Sequence, residues 1–281
     1  MPFSSNTSDS FVDWDIDYNN LSHNYTNDFP KEPSNLSMKA SSHILESIIR
    51  KHFPDLDKVK FIEVGCGGAR NSIDLSLKGI DVTAVDFSSN AIVLAKKNAS
   101  LSGAHLNIFQ EDMYSRHTNE LYNVILTTGL LEHFEDIDKP IEALSSYGSK
   151  NCLHIHIIIP KKFSSYTIAN TLYYIPRFLK RCLSLNFDNI FTKSFRDFPH
   201  YENNYTKEFY SQSFSRFGIK EEAILASGSL YPFLALPKPF GNLLIKFFGS
   251  YMYKLMLYTG TRTSYFWHLF SPVFIYVGKA S

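Results

Sequence analysis

Three carboxylates and two glycines stand at intervals that suit the binding of a nucleoside. Glu63, Gly65 and Gly67 lie in the run Phe61-Ile-Glu-Val-Gly-Cys-Gly-Gly-Ala-Arg-Asn-Ser72, Asp86 comes 23 residues after Glu63, and Asp112 follows. The glycines let the backbone turn tightly and pass close to a ligand with no Cβ in the way. Asp86 ends the apolar run Ile80-Asp-Val-Thr-Ala-Val85, where a nucleotide fold sets a carboxylate against ribose hydroxyls. A dinucleotide fingerprint needs a third glycine at position 70, which here is Arg70; a pyrophosphate cradle, and with it a nicotinamide oxidoreductase, is disfavoured. A second group sits in Gly129-Leu-Leu-Glu-His-Phe134. The unperturbed imidazole pKa lies near neutrality, so His133 could accept a proton from a hydroxyl or amine, with Glu132 beside it; alternatively both only hold the loop. His154 and His156 alternate within an apolar run and so share one face. No third ligand accompanies them, so buried core histidines are expected there rather than a metal site.

The elements that must position these residues can be read from periodicity. Residues 36–52 carry helical spacing (Ile44, Leu45, Ile48, Ile49) closed by Pro54. Strand 59–64, helix 70–78 stopped by Gly79, and strand 80–85 follow. A helix N-capped by Ser88 runs to Gly103, then strands 105–109 and 121–127, helix 137–147 and strand 152–159. Such alternation implies a parallel sheet with helices on both faces. Ligands of open α/β sheets bind outside the carboxyl ends of the strands, a rule that selects 63–68, Asp86 with Phe87, Asp112 with Met113, and 127–129 including Thr128. Beyond Pro160 the alternation breaks. Residues 161–204 are aromatic and basic with a helical middle (168–183), helix 205–217 and strand 219–226 resume the pattern, and 229–270 form a second, very aromatic insertion. Pro272-Val-Phe-Ile-Tyr-Val277 reads as a last strand.

Glu-x-Gly-x-Gly-Gly-Ala with Asp86 downstream resembles the class I S-adenosylmethionine-dependent methyltransferases, over roughly residues 36–160. The run Gly79-Ile-Asp-Val-Thr-Ala-Val-Asp-Phe-Ser-Ser-Asn-Ala-Ile92 is closest to their small-molecule branch (the type 11/12-like members). Ala69 departs from the family, many of whose members carry a third glycine there. The resemblance implies a doubly wound, mostly parallel seven-stranded sheet with helical insertions, ended by a reversed strand. It implies S-adenosylmethionine as cofactor: Asp86 on both ribose hydroxyls, Phe87 against adenine and Asp112 accepting the adenine amino group. Free helix amides after Gly67 would favour the methionine carboxylate. Arg70 would add a charge there, or is simply a solvated helix residue. A non-catalytic member that kept the fold as an interaction module is the alternative from another class.

Composition narrows the partners. With 28 basic and 27 acidic residues the net charge is +1, so no global field favours nucleic acid. No Pro-Pro-aromatic motif follows the fourth strand, unlike the methyltransferases of DNA bases; a small-molecule acceptor of lipid or sugar type is expected. Cys66, Cys152 and Cys182 show no disulfide or zinc spacing, and no signal-peptide pattern opens the chain; the expected compartment is the cytoplasm. The expected organisation is one domain over 1–281: leader and cap helix 1–56, cofactor-binding core 57–160, substrate-side insertions 161–204 and 229–270, and last strand 271–280. The run 240–258 is almost apolar all round, yet holds Lys246 and Lys254. Two lysines at about 2.5–3.5 kcal/mol each oppose a membrane span. A lid over the pocket, a dimer contact, or a peripheral helix lying in the membrane interface beside Lys238, Arg262, Tyr265 and Trp267 remain open.

Overall fold

The computed structural model describes residues 30–116, 119–159, 182, 202–227, 238–263, 268 and 271–281. Helix α1 (Pro33–His52) is followed by β1 (Lys60–Val64), α2 (Arg70–Ser76), β2 (Asp81–Asp86), α3 (Ser89–Ser102) and β3 (Asn107–Gln110). Then come β4 (Tyr122–Thr128), α4 (Asp138–Ser145), β5 (Gly148–Ile158), α5 (Lys207–Arg216), β6 (Ile219–Ser227), α6 (Lys238–Gly260) and β7 (Val273–Ala280). The leader 1–29, most of 161–204 with its helical middle, His200 and Tyr201, and Tyr265 and Trp267 lie outside the described residues.

The strands form one seven-stranded sheet in the order β3-β2-β1-β4-β5-β7-β6. Strands β1 to β5 pair in parallel, and β7 runs antiparallel to both neighbours. The reversed strand is thus one place in from the edge, with β6 outside it. Strand order reverses between β1 and β4, the switch point that opens a crevice at the strands' carboxyl ends.

Local chemistry explains the boundaries. The Ser88 hydroxyl accepts from the Ala91 amide at 3.1 Å and caps α3, whose far end closes on Gly103 in a left-handed turn. On α1, the apolar spacing puts Ile44, Leu45, Ile48 and Ile49 against Phe61, Val82 and Val124 of the sheet. The opposite face buries Ile62, Ile125, Ile158, Phe214 and Tyr276. Strand β5 begins at Gly148, four residues before the expected start at 152. Its first turn is polar (Ser149, Lys150, Asn151) and carries a register shift and a positive φ at Asn151, which hides it from an apolar-run reading.

Helix α6 buries Ile245, Met252 and Met256 against Leu36 and Ala40 of α1. It is stacked on the outside of α1. No helix among the described residues is long and apolar enough to cross a membrane.

Candidate cofactor site

At the end of β1 the chain turns through Gly65 (φ 71°) and Gly67 (φ 51°), both in the left-handed region that favours glycine. The Gly65 and Cys66 amides donate to the Val85 carbonyl at 2.9 and 3.0 Å, which ties the turn to the end of β2. A Cβ on Gly65 would meet the Leu130 side chain at 3.1 Å, so the turn is also closely roofed. Ala69 takes a left-handed φ of 55° at the start of α2, a conformation costing a non-glycine residue about 1–2 kcal/mol.

Asp86 locks the floor. One carboxylate oxygen accepts the Gly67 amide at 2.8 Å and the other the Ser88 amide at 2.9 Å. The turn after β3 is shaped by Asp112, which accepts the Tyr114 amide at 3.0 Å, and by Gln110, whose amide group donates to the Phe87 carbonyl at 2.9 Å. Glu111 is buried and accepts the Tyr147 hydroxyl at 2.8 Å; the Arg116 guanidinium lies 4.3 Å from the centre of the Tyr147 ring. Between these loops opens a cleft of about 480 Å³, counting its mouth.

Five of the expected binding residues line it together: Gly65, Asp86, Phe87, Asp112 and Met113. Gly67 reaches it only through its amide on Asp86. Arg70 opens α2 without lining the cleft. Glu63 and Thr128 lie behind the turn. One Glu63 oxygen accepts Asn71 at 3.1 Å and Thr128 at 3.4 Å; the other accepts the Ser72 amide at 3.1 Å and the Ser72 hydroxyl at 2.6 Å. Burial pushes its carboxyl up from the usual range while these donors pull it down. It is the clamp that joins β1, α2 and β4. Glu132 and His133, on the 3₁₀ turn Leu131–His133, are buried and also outside the lining. Glu132 accepts the Ile159 amide at 3.2 Å with one oxygen; among the described residues the other has no hydrogen-bond partner. Desolvation, aided by Glu202, pushes its carboxyl up to about 8, so it is largely protonated at neutral pH.

Val64, inside the selected 63–68, also lines the cleft; the residues missed in the sequence are the rest of the apolar and aromatic wall, Tyr114, Leu130 and Phe134, together with Glu111. Leu130 and Phe134 flank Glu132-His133, and only polar members of that loop carried a signal. Asn203 is a second omission. Its side-chain amide donates to the carbonyls of Leu131 at 3.2 Å and Phe134 at 3.0 Å, its oxygen accepts the Tyr210 hydroxyl at 2.9 Å, and its backbone amide donates to the Glu132 carbonyl at 2.7 Å. One residue therefore pins the whole loop after β4. His154 and His156 are fully buried and 3.4 Å apart, and among the described residues no cluster could hold a metal ion.

Residues 61–147, which span the glycine turn and every cleft-lining residue, match the methyltransferase-domain family model. This stretch carries a methyltransferase domain and resembles the class I S-adenosylmethionine-dependent methyltransferases. Among relatives, it is 30% identical over 128 residues to a ubiquinone biosynthesis O-methyltransferase of Rickettsia canadensis, covering 44% of this chain and 54% of that protein. A Rickettsia felis protein of the same name is 29% identical over 128 residues, covering 44% and 52%. The chain thus spans about half the length of the curated relatives it matches. In fold it is similar to magnesium protoporphyrin IX methyltransferase from Synechocystis with bound SAH (TM-score 0.54, 14% identity, 98% of this chain and 96% of that one). A methyltransferase from Clostridium acetobutylicum overlays equally well (TM-score 0.54, 11% identity, 88% and 94%).

The family's cofactor suits the cleft. A nucleoside needs a carboxylate for its sugar, apolar flanks for its base and an acceptor for its amino group. Groups of these kinds, the carboxylates of Asp86 and Asp112 and the side chains of Phe87 and Met113, line one cavity.

Proposed function

We propose that this methyltransferase binds S-adenosylmethionine in the Gly65–Asp86–Asp112 cleft and methylates a small-molecule acceptor of lipid or sugar type. The observation that carries it is the convergence of Gly65, Asp86, Phe87, Asp112 and Met113 on one cavity at the carboxyl ends of β1 to β3. Asp86, held by the Gly67 and Ser88 amides, is preorganised to accept the ribose hydroxyls. Phe87 and Met113 would flank the adenine, and Asp112 would accept its amino group. The bound cofactor supplies an electrophilic methyl group on a sulfonium centre.

What the chain adds is alignment and dryness. Leu130 and Phe134 wall the cleft on the side of the β4 loop, where their apolar side chains would keep water from a transferring methyl group. Direct displacement draws much of its rate from in-line positioning. Glu132 and His133 lie buried beside that wall, and we assign them to holding the loop rather than to taking a proton. The names of the Rickettsia relatives support oxygen as the methylated atom.

Titration calorimetry with S-adenosylhomocysteine tests the reading. The native protein should bind, Asp112→Ala should lose about tenfold or more in affinity, and Asp86→Asn should lose more while keeping its circular dichroism. Each lost charge-assisted hydrogen bond costs about 1.5–3 kcal/mol. Absence of binding by folded native protein, or undiminished binding by both variants, sinks it.

A further inference from the structure

Every one of the 27 acidic residues of this chain lies before residue 223; residues 223–281 hold Lys238, Lys246, Lys254, Arg262 and Lys279 and no Asp or Glu. This last fifth is therefore positive by five charges, against a surplus of four negative charges in the rest, which together give the net +1. Helix α6 occupies the middle of this cationic stretch. Its inner face is spent on α1, through Ile245, Met252 and Met256. Its outer face is where a soluble helix should be polar, and it is aromatic instead. Phe240 is 66% exposed, Leu243 54%, Phe247 68%, Tyr251 68% and Tyr258 53%. These fall at i, i+3, i+7, i+11 and i+18, which is one stripe of a helix. Lys254 sits within the stripe and Lys246 on the flank beside it, both exposed. The Arg262 guanidinium lies 3.7 Å from the centre of the Tyr258 ring.

We propose that the outward face of α6 is a membrane-interface surface, which lies in the plane of an anionic phospholipid bilayer with Phe240, Phe247 and Tyr251 among the upper acyl chains and Lys246 and Lys254 at the phosphates. Exposed aromatics with cations between them, and no acidic residue on the helix, are the pattern of such helices. The lysine stems are long enough to lie along the apolar stripe while their ammonium groups reach the headgroups. At 23 residues the helix is about 35 Å long, and with none of the described helices able to span a bilayer it would lie along the surface.

The other occupants fit less well. No α6 residue lines the cleft, so the helix does not roof it. A second copy docked on this stripe by two-fold symmetry would place the lysines of both helices in one interface, with no carboxylate on either helix to offset them. An anionic lipid surface satisfies both the charge and the apolar stripe, and the proposal stands whether or not the methyl-transfer reading does.

Flotation of the full chain with vesicles tests it. Vesicles of phosphatidylcholine and phosphatidylglycerol in equal parts should capture the protein at low salt, and phosphatidylcholine alone should capture little. Lys246→Glu with Lys254→Glu should weaken capture at least about thirtyfold, as expected for two basic residues near such a surface. Phe247→Ser with Tyr251→Ser should weaken it independently of salt. All four positions are exposed, so both variants should fold as the native protein does. Failure of the native protein to bind the mixed vesicles overturns the proposal, and so does full capture of the charge-reversed variant. A lipid-free dimer that the Phe247→Ser, Tyr251→Ser variant dissolves would make the face an interface between copies instead. Calorimetry with S-adenosylhomocysteine on the same samples reports the cleft separately.

Discussion

Glu132 is fully buried, with a carboxyl raised to about 8 and one oxygen without a partner among the described residues. In the unfolded chain the same group would titrate near its ordinary 4.5. Between those values the folded protein holds a proton that the unfolded chain releases, so this residue's contribution to stability falls as pH rises. The stabilising effect is complete below about pH 4.5 and lost progressively through pH 8. Each pH unit inside the window is worth about 1.4 kcal/mol, less near its ends. Between pH 5 and pH 7 the loss is therefore about 2–3 kcal/mol, a large share of a typical domain's stability. Glu132→Gln keeps the shape and the acceptor for the Ile159 amide and cannot ionise. Its extra N–H lacks a partner on the empty side, a pH-independent cost of about 1–3 kcal/mol.

The assay is urea denaturation of native protein and Glu132→Gln at half-unit steps from pH 5 to pH 8.5. Subtracting the two curves removes every other titrating group. The variant should start below the native protein at pH 5 and gain on it by about 2–3 kcal/mol at pH 7. A flat difference across the range would refute the reasoning, since it would mean that Glu132 is hydrated and ionises normally in the fold. If cofactor binding is also read, it should change little with this substitution, because Glu132 does not line the cleft.

Asn203→Ala should destabilise the protein by about 2–4 kcal/mol in the same denaturation assay, because two loop carbonyls and the Tyr210 hydroxyl lose their buried partner. Weaker binding of S-adenosylhomocysteine should accompany it if the Leu130–Phe134 wall depends on that clamp. His154 is held down to about 4 by burial, so the unfolded chain takes up its proton first and stability should fall as pH drops from about 6.5 to about 4. The loss is on the order of 3 kcal/mol, and His154→Asn should flatten this acid limb. Ala69→Gly should be nearly neutral: relief of about 1–2 kcal/mol of left-handed strain is offset by glycine's greater unfolded-state freedom and the loss of a buried methyl worth about 0.8 kcal/mol.

The cofactor core was legible because its buried strands are mostly apolar runs, broken only by single polar residues such as Glu63 and Thr83, with a cap or glycine just past the end, as at Val64-Gly65 and Asp86-Phe87-Ser88. What the sequence could not separate was two carboxylates that look alike, each at the end of a strand. Register separates them. Glu63 pairs with Ala84 and so points to the same side of the sheet as Asp86, but two residues deeper, where α2 covers it with Asn71 and Ser72. Asp86 lies just beyond the Val64–Val85 pair, level with the turn, where it reaches the cleft. That difference is set by how two strands slide against each other, which no spacing within one strand records. The same limit applied to α6. An almost wholly apolar helix does not announce which side it buries, and Leu36 and Ala40, some two hundred residues earlier, make that choice by covering Ile245, Met252 and Met256. Once they have done so, the aromatic stripe has nowhere to go but outward, and its cations, uncountered by any acidic residue from 223 onward, decide what it can meet there.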